Sequence, residues 1–292
     1  DRLPSMLAII GVLVVIFAVV GGYAYTKGPF SVLFQPAELI IIIGAAIGIV
    51  LLGSPPKVLK HLLRALPVVF KGSPYTKATY LELLKMQFEV FSKIRKGGLL
   101  AMEEDVGDPH NSPIFKNYPK FLANEHAVRF FCDSMKLLID GTDVGEVEHI
   151  MQSDLATQQE EGQLPAGVLQ AVGDAMPGLG IVAAVLGIIV TMQHLDGPPE
   201  QLGKHVAAAL VGTFLGILVS YGFFQPLGTA VGALARDEHK YLQCMMIGLS
   251  CSTGGTSPGT SVEQARRVIY AADRPSAEEL EAAITELKTA KT

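Results

Sequence analysis

The stretch GTFLGILVSYGFFQP, from Gly212 to Pro226, contains no Asp, Glu, Lys, Arg or His. It lies inside a longer apolar segment, Val206–Ala235, which exceeds the roughly 20 residues that a helix needs to cross the hydrocarbon core of a bilayer. We therefore predict a transmembrane helix here. The stretch also carries polar side chains: Thr213, Ser220, Tyr221 and Gln225. These side chains either pack against neighbouring helices or line a path that a polar species takes.

Three further apolar segments predict three more spans: Met6–Ala24, Leu39–Leu52 and Pro177–Met192. Pro36 and Glu38 stand at the start of the second, where a proline and then an acid are typical of a helix N-terminus. The composition agrees, because 49% of the residues are hydrophobic and 17% are charged, whereas soluble domains are about 25% charged. The first segment has no small-residue cleavage site of the usual kind, so we expect it to be retained as a span.

The basic residues between the spans predict the orientation of the chain. Basic side chains follow the second and fourth segments: Lys57, Lys60, Arg64, Lys71, Arg236 and Lys240. The turns after the first and third hold only Lys27 and Lys204. Because basic loops stay in the cytoplasm, both termini are predicted to be cytoplasmic.

The predicted fold is an all-α integral membrane protein with four transmembrane helices, a large helical cytoplasmic insertion and a cytoplasmic C-terminal tail. Residues 1–53 would hold spans 1 and 2, and residues 173–235 would hold spans 3 and 4. Residues 54–172 would form the cytoplasmic helical domain, and residues 236–292 would form the tail.

Start and stop signals predict helices in both cytoplasmic parts. Ser73 and Pro74 begin a helix that Gly97 and Gly98 end. The others run over residues 124–140, ending at Gly141, over residues 144–161, and onward from Pro275 and Ser276 near the C-terminus.

The sequence offers little for an enzyme. It has no Walker loop, no GxGxxG motif and no histidine pair at metal-ligand spacing, so we expect no cofactor and no metal. A membrane hydrolase would need Ser220 beside His194 or His205, but Ser220 lies roughly four helical turns deeper than His205. Cys132, Cys244 and Cys251 show no CxxC spacing, which indicates reduced structural thiols. The net charge of −5 gives no indication of nucleic-acid binding.

The polar residues of the spans support two readings. Small residues spaced four apart favour close helix packing: Gly44 with Gly48, Gly180 with Ala184, and Gly212 with Gly216. Against that, no ionisable side chain lies near the middle of any span, although proton relays in membranes usually need one. A path along this chain would therefore take its titrating group from a partner. Pro177 and Pro226 would each free a backbone carbonyl, which gives either a polar point or an ordinary kink.

A charged cluster surrounds the Gly97-Gly98 break: Lys93, Arg95, Lys96, Glu103, Glu104 and Asp105. It is either a solvated helix end, with basic residues favoured in the last turn, or a docking surface for a charged partner.

Five stretches, in order along the chain, resemble the MotA family of flagellar motor stator proteins: QPAELIIIIGAAIG, YTKATYLELL, GDAMPGLGIVAAVLG, VGTFLGILVSYGFFQPL and RPSAEELE. The resemblance implies an all-helical subunit of a pentameric ring in the bacterial inner membrane. The ring would surround MotB, a single-span partner with a membrane aspartate, and push the rotor protein FliG as ions pass.

The resemblance also implies roles for individual residues. Thr213, Pro177, Pro226 and Tyr221 match positions along the family's ion path, and Arg95 and Glu103 match its rotor-binding charges. Ala184 stands where sodium-driven relatives carry a hydroxyl, and a methyl group cannot coordinate sodium, so we expect protons. Glu104 follows Glu103 where a basic residue often stands, so this surface is more acidic here.

Two alternatives stay open on the sequence alone. One is an energy-transducing channel subunit of the ExbB or TolQ type, although those have three spans. The other is a passive scaffold or an intramembrane enzyme.

Overall fold

The structure is a computed structural model that describes residues 3–193 and 198–289. Within these residues all regular structure is helical. The α-helices are α1 (Leu3–Tyr25), α2 (Phe30–Leu33), α3 (Pro36–Gly53), α4 (Pro56–Lys71), α5 (Lys77–Gly97), α6 (Glu103–Gly107), α7 (Pro119–Leu122), α8 (Glu125–Ile139), α9 (Val144–Met192), α10 (Pro199–Val219), α11 (Gln225–Thr253), α12 (Pro258–Arg267) and α13 (Ala277–Thr289). A π-helical turn, Ser220–Phe224, joins α10 to α11. The predicted all-α class is confirmed.

Four helical segments among the described residues are long and apolar enough to cross a membrane: Leu7–Tyr25, Phe30–Gly53, Val144–Met192 and Leu202–Thr253. Many of their large apolar side chains are exposed, including Phe17 at 70% and Ile40 at 73%. Such surfaces are expected of helices that contact lipid or other membrane helices. The four predicted spans are thus present as four candidate membrane helices.

Two predicted breaks are absent. The helix predicted over residues 144–161 does not end there but continues as α9 through Pro165 and Pro177 to Met192. Likewise, α11 runs without interruption from the fourth span into the predicted tail, ending at Thr253. Prolines are tolerated inside membrane helices where other groups satisfy the carbonyls that they free.

The chain divides into two compact units. The first comprises the described residues up to Ser73 together with Gly162–Leu234. These limits differ from the predicted domains, in which residues 54–172 belonged together. Part of the difference comes from α4, which packs on α1 and buries Val58, Leu62 and Val69 in the first unit. The basic side chains of α4 are exposed, as is typical of an amphipathic helix at a membrane surface.

The second unit comprises Pro74–Glu161 and the described residues from Ala235 onward. Its core contains Tyr80, Phe91 and Leu242 with almost no exposed surface. Phe115, Phe121 and Phe131 form a cluster in which the ring centroids lie 5.3–6.2 Å apart. This unit therefore has a continuous hydrophobic core of its own.

Three of the predicted helix boundaries in this unit are present in the structure. Gly98 follows α5 at a φ of 75°, a conformation that favours glycine. Asn124 caps α8, because its side chain accepts a hydrogen bond from the Ala127 amide at 3.1 Å. At α13, the Ser276 hydroxyl and the Glu279 carboxylate each accept a bond from the other's amide. That reciprocal pattern is a capping box.

The three cysteines are free thiols, and Cys132 and Cys244 are buried. Burial raises the pKa of Cys132 to about 12. These two thiols therefore stay protonated at neutral pH, which fits a structural role.

Candidate functional site

The third and fourth spans contact each other through their backbones. A Cβ on Gly180 would lie 2.7 Å from the carbonyl oxygen of Gly212, and a Cβ on Gly216 would lie 2.5 Å from that of Met176. These glycines therefore serve the close packing of α9 against α10. Gly44 and Gly48 differ, because a Cβ on either would have no described atom within 4 Å.

Three predicted ion-path residues lie along this helix pair. The Cα of Thr213 is 3.2 Å from a Cβ built on Gly180, and the Thr213 side chain is half-buried. Pro177 lies about one turn before Gly180 on α9 and is half-buried, and Ala184 lies about one turn after it and is buried. Thr213, Pro177 and Ala184 thus belong to one helix–helix crossing.

The other two ion-path residues lie further along the chain. Tyr221 is in the π-helical turn and is 61% exposed, and Pro226 is exposed in the first turn of α11. A proline ring removes the amide that would bond the carbonyl four residues earlier. For Pro226 that carbonyl belongs to Gly222, inside the π-helical turn, so the irregular turn and the proline coincide. Such π-bulges are frequent at functional sites.

Pro177 has a consequence that the sequence did not reveal. The carbonyl that it frees belongs to Gly173, and the Ser220 hydroxyl donates a hydrogen bond of 2.6 Å to that carbonyl. Ser220 is fully buried. Its hydroxyl therefore satisfies the backbone of α9, which explains how the helix continues through Pro177.

A second hydrogen bond joins the surroundings of the two prolines. The Gln225 side-chain amide donates to the Asp174 carboxylate at 3.0 Å. Asp174 lies three residues before Pro177, and Gln225 directly precedes Pro226. Two hydrogen bonds, from Ser220 to Gly173 and from Gln225 to Asp174, thus connect the residues that precede the two prolines. Asp174 was not predicted as a site residue, although an acid just before an apolar segment can indicate a functional site.

The hydrolase alternative has no support in this geometry, because the Ser220 hydroxyl donates to a carbonyl rather than to a histidine. His205 is exposed on α10, and His194 lies outside the described residues. Within the part of the chain that the structure describes, no group of three or more His, Cys, Asp or Glu side chains is placed to hold a metal ion.

Glu38, which the sequence predicts only as an acid at the start of a helix, is buried against other spans. It is 6% exposed, and its carboxylate lies against glycines of both the third and the fourth span. A Cβ on Gly187 would lie 3.1 Å from Glu38 Oε1, and a Cβ on Gly212 would overlap Oε2. A buried acid in a membrane span is a functional candidate by default.

The charged cluster around Gly97 and Gly98 separates into two parts. Lys93 donates to Asp105 at 2.5 Å, and the Ser112 hydroxyl donates to the same carboxylate at 2.5 Å. Asp105 is 3% exposed, so this group is internal. Arg95, Lys96, Glu103 and Glu104 are exposed instead. The predicted rotor-binding residues, Arg95 and Glu103, therefore lie on the surface of the second unit.

Replacing Asp105 by Ala is expected to destabilise the second unit by about 2 kcal/mol, because hydrogen bonds to a charged group each contribute roughly 1.5–3 kcal/mol. The ion pair with Lys93 contributes only part of this energy, because the Lys93 side chain is 39% exposed and solvent screens its charge. Hydrogen exchange of the α5 and α8 amides in the full chain measures the change. Glu104→Gln, one residue earlier and exposed, is the control and should leave exchange unchanged; equal effects of both changes would contradict the internal role of Asp105.

The chain matches known proteins over nearly its whole length. Residues 9–98 match the family Motility protein A N-terminal, and residues 122–243 match the MotA/TolQ/ExbB proton channel family. Motility protein A of Escherichia coli (strain K12) is 40% identical over 97% of this chain and 96% of its own length.

Two solved structures share the fold. The flagellar MotAB stator complex from Bacillus subtilis is 28% identical with a TM-score of 0.71, covering 88% of this chain and 92% of that chain. C. jejuni MotAB has a TM-score of 0.76 at 22% identity, covering 92% of this chain and 98% of that one. With four candidate spans, the glycine-packed crossing and a near full-length match, this chain belongs to the motility protein A family.

Proposed function

We propose that this chain is a stator subunit of the bacterial flagellar motor, which with a MotB-type partner conducts protons and converts their flow into torque on the rotor. The observation that carries the proposal is the 40% identity to a motility protein A over 97% of the chain. The family membership and the likeness to MotAB structures support a MotB-type partner and an oligomeric assembly. We further propose a pentameric ring, FliG as the rotor contact, and an inner-membrane location with both termini cytoplasmic.

The crossing of α9 and α10 would form the wall of the proton path. The partner would supply the aspartate that changes protonation beside Thr213 and Pro177. One charge that crosses a potential of 100 mV releases about 2.3 kcal/mol. That energy would be coupled to a change between two packings of the crossing rather than lost as heat.

The change between the two packings would break and re-form the hydrogen bonds next to Pro177 and Pro226. The bond from Ser220 to Gly173 connects α9 to the π-helical turn, and the bond from Gln225 to Asp174 connects α9 to the first residue of α11. Breaking both costs only a few kcal/mol, because a net hydrogen bond contributes about 0.5–1.5 kcal/mol. This is comparable with the energy of one transported charge.

Ala184 supports protons as the transported ion. Its side chain is a buried methyl group at the crossing, whereas sodium requires oxygen ligands. The surface that carries Arg95 and Glu103 would meet the rotor, since both side chains are exposed on the second unit. No enzymatic step is needed for this function.

Proton flux into vesicles tests the proposal. We expect flux when this chain is reconstituted with a partner whose plug has been removed, and no flux with the chain alone. Replacing the membrane aspartate of that partner with asparagine should abolish the flux. Flux from this chain alone would contradict the proposal that the path is shared.

The ExbB and TolQ alternative is less well supported. Residues 9–98 match a family specific to motility protein A, whereas only the match over residues 122–243 is to the family shared with TolQ and ExbB. Restored swimming in a strain that lacks its own stator subunit would distinguish the two functions.

A further inference from the structure

Glu38 is the buried acid in the spans that the proposed function leaves unused. It is the third residue of α3 and lies between α9 and α10, where Gly187 and Gly212 leave the space for its carboxylate. These two glycines lie on different helices. An alanine at Gly212 would overlap the carboxylate, so this space exists only because both helices lack a side chain there.

The carboxylate is incompletely satisfied. Among the described residues, no donor lies within hydrogen-bonding distance of Glu38 Oε2, and that atom is buried. Desolvating an unpaired carboxylate costs far more than a single buried hydroxyl does, so an acid in such a place binds a proton or a cation, or is paired. Among the described residues, the groups shown against the carboxylate are Gly187 and Gly212, which offer it no side-chain donor.

The surrounding helices carry few other titratable groups. Neither the rest of α3 nor α9 from Gly180 to Met192 contains one. On α10 they are Glu200, Lys204 and His205, all exposed, and Lys204 pairs with Glu200 at 3.0 Å. His205, Ala209 and Gly212 are spaced four and three residues apart, so His205 shares the face of α10 that Glu38 contacts. Among the described residues of α3, α9 and α10, no Lys or Arg side chain is shown in contact with the Glu38 carboxylate.

We propose that Glu38 is a second proton-binding site of the ion path, contributed by this chain rather than by the partner. It lies at the start of α3, next to the connection over residues 26–35, so protons reach it from that end of the spans. A hydronium ion transfers its proton to the Glu38 carboxylate, giving a neutral carboxylic acid and water. The acid later returns the proton to a water molecule that leads towards the partner's aspartate. This inference rests on the proposed stator function.

The test compares Glu38→Gln with Glu38→Asp in vesicles that hold the chain and its plug-free partner. Glutamine keeps the size and polarity of the side chain but cannot bind and release a proton. Aspartate keeps the acid but is one methylene shorter. If Glu38 titrates, we expect the glutamine variant to lose proton flux at least about tenfold, since a general acid–base group typically contributes a factor of at least about 100 to a rate. We also expect the aspartate variant to retain more flux than the glutamine variant.

A purely structural Glu38 predicts the opposite order, with glutamine tolerated and aspartate impaired. That order, or normal flux in Glu38→Gln, would overturn the proposal. A wild-type pair that conducts no protons would instead contradict the stator function, so the two failures are distinguishable.

An infrared measurement keeps the inference testable if Glu38→Gln does not assemble. The unaltered chain is paired with a partner whose aspartate is changed to asparagine, and the carboxylic-acid C=O stretching band is followed as pH is lowered on one side of the membrane. We expect a band that grows on one side only and that changes in Glu38→Asp. No such band in the unaltered chain would refute the proposal.

Discussion

Changing Gly216 to alanine is expected to reduce partner-dependent proton flux at least about tenfold, since forcing an extra group into a packed site costs roughly 1–3 kcal/mol. The added Cβ would lie 2.5 Å from the Met176 carbonyl oxygen and 2.9 Å from the Gly180 Cα. Both are backbone atoms, so no side chain can rotate away. The two helices would have to separate, and Thr213 would move with α10 away from Pro177.

The control for this change is Gly203→Ala, on the same helix. A Cβ there would have no described atom within 4 Å, and the gain in helix propensity is the same for both variants. Flux with the plug-free partner and swimming in a complemented strain are the measurements. If Gly216→Ala conducted as well as Gly203→Ala, the close crossing would not be needed for ion flow.

Changing Arg95 to glutamate is expected to abolish swimming while membrane insertion, partner binding and proton flux stay normal. Arg95 is exposed in the last turn of α5, and its side chain donates to the Gly255 carbonyl at 3.3 Å. That contact is at the long end of the hydrogen-bond range and contributes little to stability. Reversing the charge would instead place like charges together at a docked interface, which costs several kcal/mol.

Arg129→Glu supplies a matched control, because Arg129 is an exposed arginine on α8 of the same unit. It changes the net charge equally, and swimming should be retained. Co-purification with the partner and the vesicle assay show whether assembly and conduction survive in both variants. Normal swimming of the Arg95 variant would remove Arg95 from the rotor-binding surface.

Much of the fold was predictable because its signals are local. Gly98 and Asn124 lie within a few residues of the helix ends that they set, and the four apolar segments need only composition to be recognised. The continuity of α9 was not predictable in this way. Pro177 looks like a helix start, and the hydroxyl that allows the helix to pass through it comes from Ser220, which lies 47 residues after the Gly173 carbonyl that it bonds.

The candidate site was predictable in part. The sequence, with its family resemblance, selected Thr213, Pro177 and Ala184, which the structure brings to one crossing, although their role in ion flow stays a prediction. Glu38 was missed because an acid in the first turn of a helix is ordinary. Its burial depends on glycines about 150 and 174 residues further along the chain, and no local pattern contains that information.

The hydrogen bond at Gly173 also offers a spectroscopic handle on the protein. In most of α9 a carbonyl is bonded within its own helix, and its ¹³C chemical shift reports local helicity. The Gly173 carbonyl instead takes a hydrogen bond from Ser220, beyond the end of α10. Its shift in solid-state NMR therefore reports the separation of two segments of the chain. Because Pro177 frees the Gly173 carbonyl, this carbonyl carbon reports the contact between α9 and Ser220 without any attached probe.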